Sequence, residues 1–516
     1  MGTGHSTLHA EYPHPLRRIF PFAITALIAA ASCFAACANR GSSIAGREPI
    51  KTVVEVENNV DALRTWASHG ARASALVHID FSDDMAIFPA SQMGDMENAA
   101  RALRRRDVSV LDAVGPMIER GGIVSLGYMA GMYKRVIWVV PSTKPASETP
   151  IDVFKNFLVV RRNIPAAALG DFKVEGAHIT GSVAGIPLTI TRLADLALGE
   201  GENAIIDIDL YYFPMAKLEN PAYRVGTASL LEFLRELGGR NIRANVVTVN
   251  LSTQNSLVTM DLRYFGDVIR EALMNPADLT GPMPEKWRYM IQAEDSLVAN
   301  RYASAAAIYE DLLRTVKDDA GLYFSLALAL GFQDKGPECR AALLNAYRLD
   351  GEYLKGFFQL ARVLANAGKI TAGLAILDTS DLGKIMSKTE MDYQRGVFYY
   401  TAHKPDEAIK YLSNVARNRP QDFGLFTILL RAYREAGNDR GQIFALQKLI
   451  DIDDGRVKRE MPWVYADLGD LYAASKQYMN ARPAYERYMQ VHPDDSLAAV
   501  FRKRIDTWKT RKLLEP

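Results

Sequence analysis

The stretch ALVHIDFSDDM, residues 75–85, decides how the first half of the chain is read. An apolar run from Ala75 ends in His78, Asp80, Ser82, Asp83 and Asp84. Carboxylates this close repel one another, and they sit together stably only in water or around a shared cation. A second run, AIIDIDL at 204–210, ends on Asp207 and Asp209. Both runs are short and apolar, as buried strands are. Residues i and i+2 of a strand point the same way, so Asp207 and Asp209 face one point.

Outward from these runs the pattern alternates. KTVVEVE (51–57), RVIWVVP (135–141) and ANVVTVNLS (244–252) read as further strands. NVDALRTWAS (59–68), MENAARALRRR (96–106), SLLEFLRELGG (229–239) and LRYFGDVIREAL (262–273) read as helices, and 110–131 as helical. Short apolar strands alternating with helices predict a three-layer α/β domain over 51–280, its mostly parallel sheet covered on both faces. VEGAHITGSVAGIPLTI (174–190) reads as a small inserted hairpin. Ligands of such sheets bind at the carboxyl ends of the strands. If the two acidic strands are neighbours, Asp80, Asp84, Asp207 and Asp209 converge there, a repulsive cluster unless a divalent cation joins it. Asp83 reads as a solvated loop residue.

A chain of 516 residues exceeds one ordinary core, and 48% hydrophobic with 23% charged residues is a globular composition. Lysine and arginine number 61 against 60 acids, and no basic stripe interleaves with aromatics, so nucleic acid is not an expected partner. The glycines of RGGIVSLGYMAG (120–131) lack phosphate-loop spacing, and no nucleophile elbow or Cys–His pair occurs.

The second half repeats. In VYADLGDLYAASKQYMNARPAYERYMQVHPDD (464–495), Leu468, Gly469 and Tyr472 fall on one helix, Ala481, Tyr485 and Tyr488 on the next, and Pro493 closes the unit. Leu326, Ala327, Leu330, Cys339, Leu343 and Ala346 repeat the pattern, as do Leu360, Ala361, Leu364, Gly373 and Leu377. Gly396, Tyr399, Ala408, Leu412 and Pro420 follow, then Leu429, Leu430, Tyr433 and Leu446, with Ala305 and Tyr309 marking an earlier copy. The pattern resembles the tetratricopeptide repeat. It implies six units over 286–495, an all-α solenoid with a capping helix at 496–516, and a concave face that binds a peptide or protein. Cys339 falls at a small-residue position and reads as a buried, inert thiol.

The amino terminus carries Arg17 and Arg18, an apolar run and small residues ending in FAAC (34–37). This layout resembles a lipoprotein signal over 1–36, with Phe34 where Leu is usual. Lipidated Cys37 then opens a polar tether, 37–50, and Ala38 resembles the outer-membrane sorting pattern. The expected location is the periplasmic side of the outer membrane, held through the lipid. The alternative is an ordinary signal peptide. RRIF (17–20) also hints at twin-arginine export, with Leu16 in place of Ser or Thr.

VHIDFSDDM together with IIDIDLYYF (205–213) resembles the arginase–deacetylase superfamily, which holds two manganese ions with a D-x-H-x-D segment and a later D-x-D pair. The flanking words are similar to the peptide-arginase group, over roughly 52–275. The resemblance implies that Asp80, Asp84, Asp207 and Asp209 are metal ligands and that metal-activated water hydrolyses a guanidino C–N bond. Ser82 stands in place of the family's middle histidine, and Asn59 where another is expected. Oxygen in place of imidazole favours magnesium or calcium beside manganese, or leaves no metal at all. His78 is a further candidate ligand, or a hydrogen-bonded neighbour. His178 is a candidate acid–base group, or a structural histidine. Two functional readings follow: a metal-dependent hydrolase with a recruiting repeat domain, or a non-catalytic scaffold of the cell envelope. The leader makes a separate prediction: mass spectrometry of the mature protein finds an acylated Cys37 at its amino terminus, and a free amino terminus elsewhere refutes the lipoprotein reading.

Overall fold

The computed structural model describes residues 50, 52–118, 121–161, 164–253, 257–377 and 382–514. The leader, Cys37 and all of the tether but Ile50 lie outside the described residues.

Eight strands form one sheet: β1 (Val53–Val56), β2 (Ala75–Ile79), β3 (Arg135–Val139), β4 (Lys173–Glu175), β5 (His178–Val183), β6 (Ile186–Thr191), β7 (Asn203–Asp209) and β8 (Arg243–Asn250). Their spatial order is β1-β8-β7-β2-β3-β6-β5-β4. Every pairing from β1 across to β6 is parallel, while β5 and β4 add antiparallel pairings. The segment 174–190, read as an inserted hairpin, therefore belongs to the main sheet: β6 bonds to β3 and carries the sheet outward. The helix Ile151–Arg161 was not legible, because its apolar residues lack a clear helical stripe.

Strand alternation divides the core between the two faces. Val77, Ile79, Ile137, Val139, Ile206 and Ile208 pack with the helices Thr227–Gly239 and Phe265–Met274. Leu76, Val136, Trp138, Leu188 and Ile205 pack with the helices Asn59–Ser68, Ala90–Arg104 and Ile123–Met129 on the other face.

Beyond the sheet the chain is an all-helical, tetratricopeptide-like solenoid. Helix pairs stack in order: Glu285–Val298 with Tyr302–Thr315, Ala320–Phe332 with Gly336–Leu349, Leu354–Asn366 with Ile370–Leu377, Lys388–Thr401 with Pro405–Asn418, Phe423–Glu435 with Asp439–Glu460, and Trp463–Ala474 with Tyr478–Val491. Ser496–Thr510 packs on the last pair. Side-chain caps start several of these helices: Asp319 accepts from Leu322 N at 2.9 Å, and Asp422 from Leu425 N at 3.0 Å. Cys339 is buried, and burial pushes its thiol up to about 12, as an inert thiol requires.

The sheet and the first repeats share one core. The cluster that covers one sheet face continues through Trp287, Tyr309, Leu326 and Phe357 to Phe398. The passage from sheet to repeats near 280–286 is a change of architecture without a break in packing.

Close helix approach depends on small residues. A Cβ on Gly396 would lie 2.5 Å from Leu412 Cγ, whereas one on Gly239 meets nothing within 4 Å. Gly396→Ala is expected to cost about 1–3 kcal/mol in denaturant melts, while Gly239→Ala is neutral or slightly stabilising.

Candidate metal centre

β2 and β7 are parallel neighbours, with His78 opposite Asp207 and Ile79 opposite Ile208. The next residues out are Asp80, just past the end of β2, and Asp209, the last residue of β7. Alternation puts His78, Asp80, Asp207 and Asp209 on the face that also carries Leu76 and Ile205. Asp84 arrives from the loop after β2 with φ of 47°, a left-handed backbone that turns the chain back over the strand end.

All these groups are out of water: His78 and Asp207 are 0% exposed, Asp80 2%, Asp209 4%, and Asp83 and Asp84 5% each. Asp83, read as a solvated loop residue, is therefore buried, because the loop folds inward and Asp83 accepts from Met85 N at 3.0 Å.

Each acid has its own donors. Asp80 accepts from Phe81 N at 2.6 Å. Asp84 accepts from Ser82 Oγ at 2.8 Å and Asn59 Nδ2 at 2.7 Å. Asp207 accepts from Thr248 Oγ1 at 2.5 Å and lies 3.0 Å from His78 Nδ1. Asp209 accepts from Tyr211 N at 2.7 Å and Ser252 Oγ at 2.7 Å. Asn250 donates to Asn59 Oδ1, and Trp66 Nε1 donates to Thr248 Oγ1 at 3.1 Å. Ser82 and Asn59 thus turn donor groups toward Asp84.

His78 holds the cluster electrostatically. Its Nε2 lies 3.0 Å from the Ser82 carbonyl, so both ring nitrogens face acceptors and both must donate. Burial opposes its charge. The Asp207 hydrogen bond and the charges of Asp207, Asp84 and Asp80 outweigh that and hold the imidazolium up to about 10. Burial pushes Asp80 well above the usual carboxylate range, helped by Asp209 and Asp84. Burial also raises Asp84, against the pull of His78 and Ser82. Burial lifts Asp209 to about 7, against its bonds to Tyr211 and Ser252.

The donor set fits a hard divalent cation. Among the described residues, single ligand atoms of Asp80 and Asp84, together with His78, lie within 4.8 Å of one another, a spacing that one ion with oxygen bonds of about 2.0–2.6 Å can span, while Asp207 and Asp209 stand outside that group. With both His78 nitrogens engaged, the atoms left to face an ion are carboxylate oxygens, the chemistry of magnesium, calcium or manganese.

His178 is not brought to the cluster. It sits half-buried on β5, with Nδ1 3.0 Å from Thr191 Oγ1. Thr248, Asn250 and Ser252 were missed by the sequence reading. Their signal was present: polar residues at every second position where an apolar strand, VVTVNLS (246–252), ends.

No family model and no curated protein matches the chain. Solved structures do match. YrrB, a tetratricopeptide-repeat protein with an unusual peptide-binding site, is 14% identical and covers 44% of this chain and 96% of its own, at a TM-score of 0.20. The C-terminal part of a repeat-containing protein from Cytophaga hutchinsonii is 17% identical over 39% of this chain and 78% of its own, at 0.26. PilW, a type IV pilus biogenesis factor, is 14% identical over 41% of this chain and 96% of its own, at 0.25.

The cluster makes a signed prediction for chelator-treated protein. A histidine held at about 10 against 6.5 stabilises fully below pH 6.5, and the contribution is lost as pH rises to about 10. Asp209, held at about 7 against 3.8, acts in the same direction, because the folded state keeps a proton that the unfolded state has released between those values. Melting temperature is expected to fall from about pH 6.5 to about pH 10, and His78→Gln is expected to flatten that fall.

Proposed function

We propose that the chain is an exported protein anchored through lipid on Cys37 at the periplasmic side of the outer membrane. Its arginase-like sheet domain binds a divalent cation, and its helical array binds a peptide or protein segment. The observation that supports the metal reading most is the meeting of Asp80, Asp84, Asp207 and Asp209 at the carboxyl ends of neighbouring parallel strands, all buried. Carboxylates desolvated this far are costly unless a cation shares them.

Asp80 and Asp84 hold the ion, and Asp207 and Asp209 add negative charge beside them. Ser82 and Asn59 orient Asp84, Ser252 orients Asp209, and Thr248 and His78 orient Asp207. Such outer donors fix the carboxylates before the ion arrives. Manganese is the ion implied by the arginase resemblance, and the oxygen-only donor set also suits magnesium or calcium. A bound ion supplies Lewis acidity for hydrolysis of a guanidino C–N bond in a peptide or small molecule.

A second reading, a non-catalytic envelope scaffold, is favoured by His78. With both nitrogens donating, it is already a cation among the acids and supplies part of the counter-charge that a metal would.

The test is calorimetric titration with manganese, magnesium and calcium, with elemental mass spectrometry of the dialysed protein. Stoichiometric binding that Asp80→Asn and Asp209→Asn each weaken by at least roughly tenfold is the expected result. Binding left intact in both variants would sink the site assignment, and no binding of any of the three ions would favour the scaffold.

A further inference from the structure

Arg263 is the one arginine among the described residues whose side chain is buried between the sheet domain and the repeats, at 8% exposure. It lies in the connection between β8 and the helix Phe265–Met274, and its guanidinium has three polar partners. Nη2 donates to Glu57, Nη1 donates to Thr253 Oγ1 at 3.0 Å, and Nε donates to Asp350 Oδ2 at 2.6 Å. Thr253 Oγ1 also donates to Glu57 at 3.2 Å, which closes a ring of bonds. The Tyr353 ring lies 6.0 Å from the guanidinium carbon.

The first two partners sit beside the acid cluster. Glu57 is two residues before Asn59, which donates to Asp84. Thr253 follows Ser252, which donates to Asp209 and has a left-handed φ of 50°. One guanidinium therefore braces the two segments that orient acids from different strands. The third partner belongs to the repeats: Asp350 follows the helix Gly336–Leu349 and caps the turn Gly351–Tyr353, accepting from Glu352 N at 3.0 Å. A second bond reinforces the link, from Met260 N to Gln359 Oε1 on the helix Leu354–Asn366 at 2.8 Å.

We propose that Arg263 is a positioning residue of the acid cluster and that Asp350 sets its place, so that the repeat array is a structural part of the site. The reach toward a cation rests on the metal reading above; the reach toward the two segments does not. Arginine suits the role because its planar fork serves three acceptors in fixed directions, which an ammonium cannot.

The experiment uses the full-length protein as wild type, Asp350→Asn, Arg263→Lys and, as a control elsewhere in the repeats, Asp467→Asn, which loses the pair with Arg434. Manganese affinity is read by electron paramagnetic resonance titration. Hydrogen exchange is read over residues 53–60 and 246–253. Asp350→Asn and Arg263→Lys are expected to lower manganese affinity by roughly tenfold and to speed exchange in both segments. Asp467→Asn is expected to leave both readouts as in wild type. Wild-type exchange in both segments of Asp350→Asn and Arg263→Lys overturns the proposal, as does equal loss in Asp467→Asn. If the wild type takes up no cation, the metal reading fails, and the exchange comparison alone decides whether Arg263 positions the two segments.

Discussion

Two parallel strands side by side, each ending in acids, place like charges together where water is excluded. Register makes the crowding unavoidable: once Ile79 pairs with Ile208, Asp80 and Asp209 leave the sheet as neighbours. A slip by one residue would turn these acids to the other face and bring apolar side chains outward. The apolar residues on both faces therefore hold the acids in place against their repulsion. His78 relieves some of it from within the strand, and the hydroxyls of Ser82, Thr248 and Ser252 turn their dipoles toward the remaining charge.

The repeats are bound into this arrangement. Their first helices complete the core of one sheet face, and Arg263 joins Glu57, Thr253 and Asp350 across the junction. Burial of such a charge is costly unless it is paired and hydrogen-bonded, and here each of the three guanidinium nitrogens donates to an acceptor, two of them carboxylates. Further polar contacts reinforce the same seam. Lys286 reaches Glu271 at 2.8 Å and Asp319 at 2.9 Å, and Tyr264 donates to Glu294 at 2.7 Å. A helical array fixed in this way shares a core and polar contacts with the sheet, unlike a module on a flexible linker.

Farther along, the array stands on its own core, from Val397 to Trp508. Each pair buries an apolar stripe that it could not cover alone, so stacking supplies the stability. The final helix covers the last pair with Phe501, Ile505 and Trp508, and Tyr485 stacks on Phe501 at 4.1 Å.

The sequence by itself determined the two architectures, because local patterns specify them. Strand-length apolar runs alternating with helical stripes give the α/β half, and small residues at fixed helical positions give the solenoid. It also marked the acids, since Asp at alternate positions of a strand end is a local feature. What only the tertiary structure decided depends on neighbours far apart in the chain. The order β7-β2 made the acids a cluster, and β8 alongside supplied Thr248, Asn250 and Ser252. The role of His78 depended on finding an acceptor at each ring nitrogen, one of them on another strand. The tie between Arg263 and Asp350 spans 87 positions. No periodicity reveals such a pair, because an ion pair needs proximity in space and leaves no repeat in the sequence.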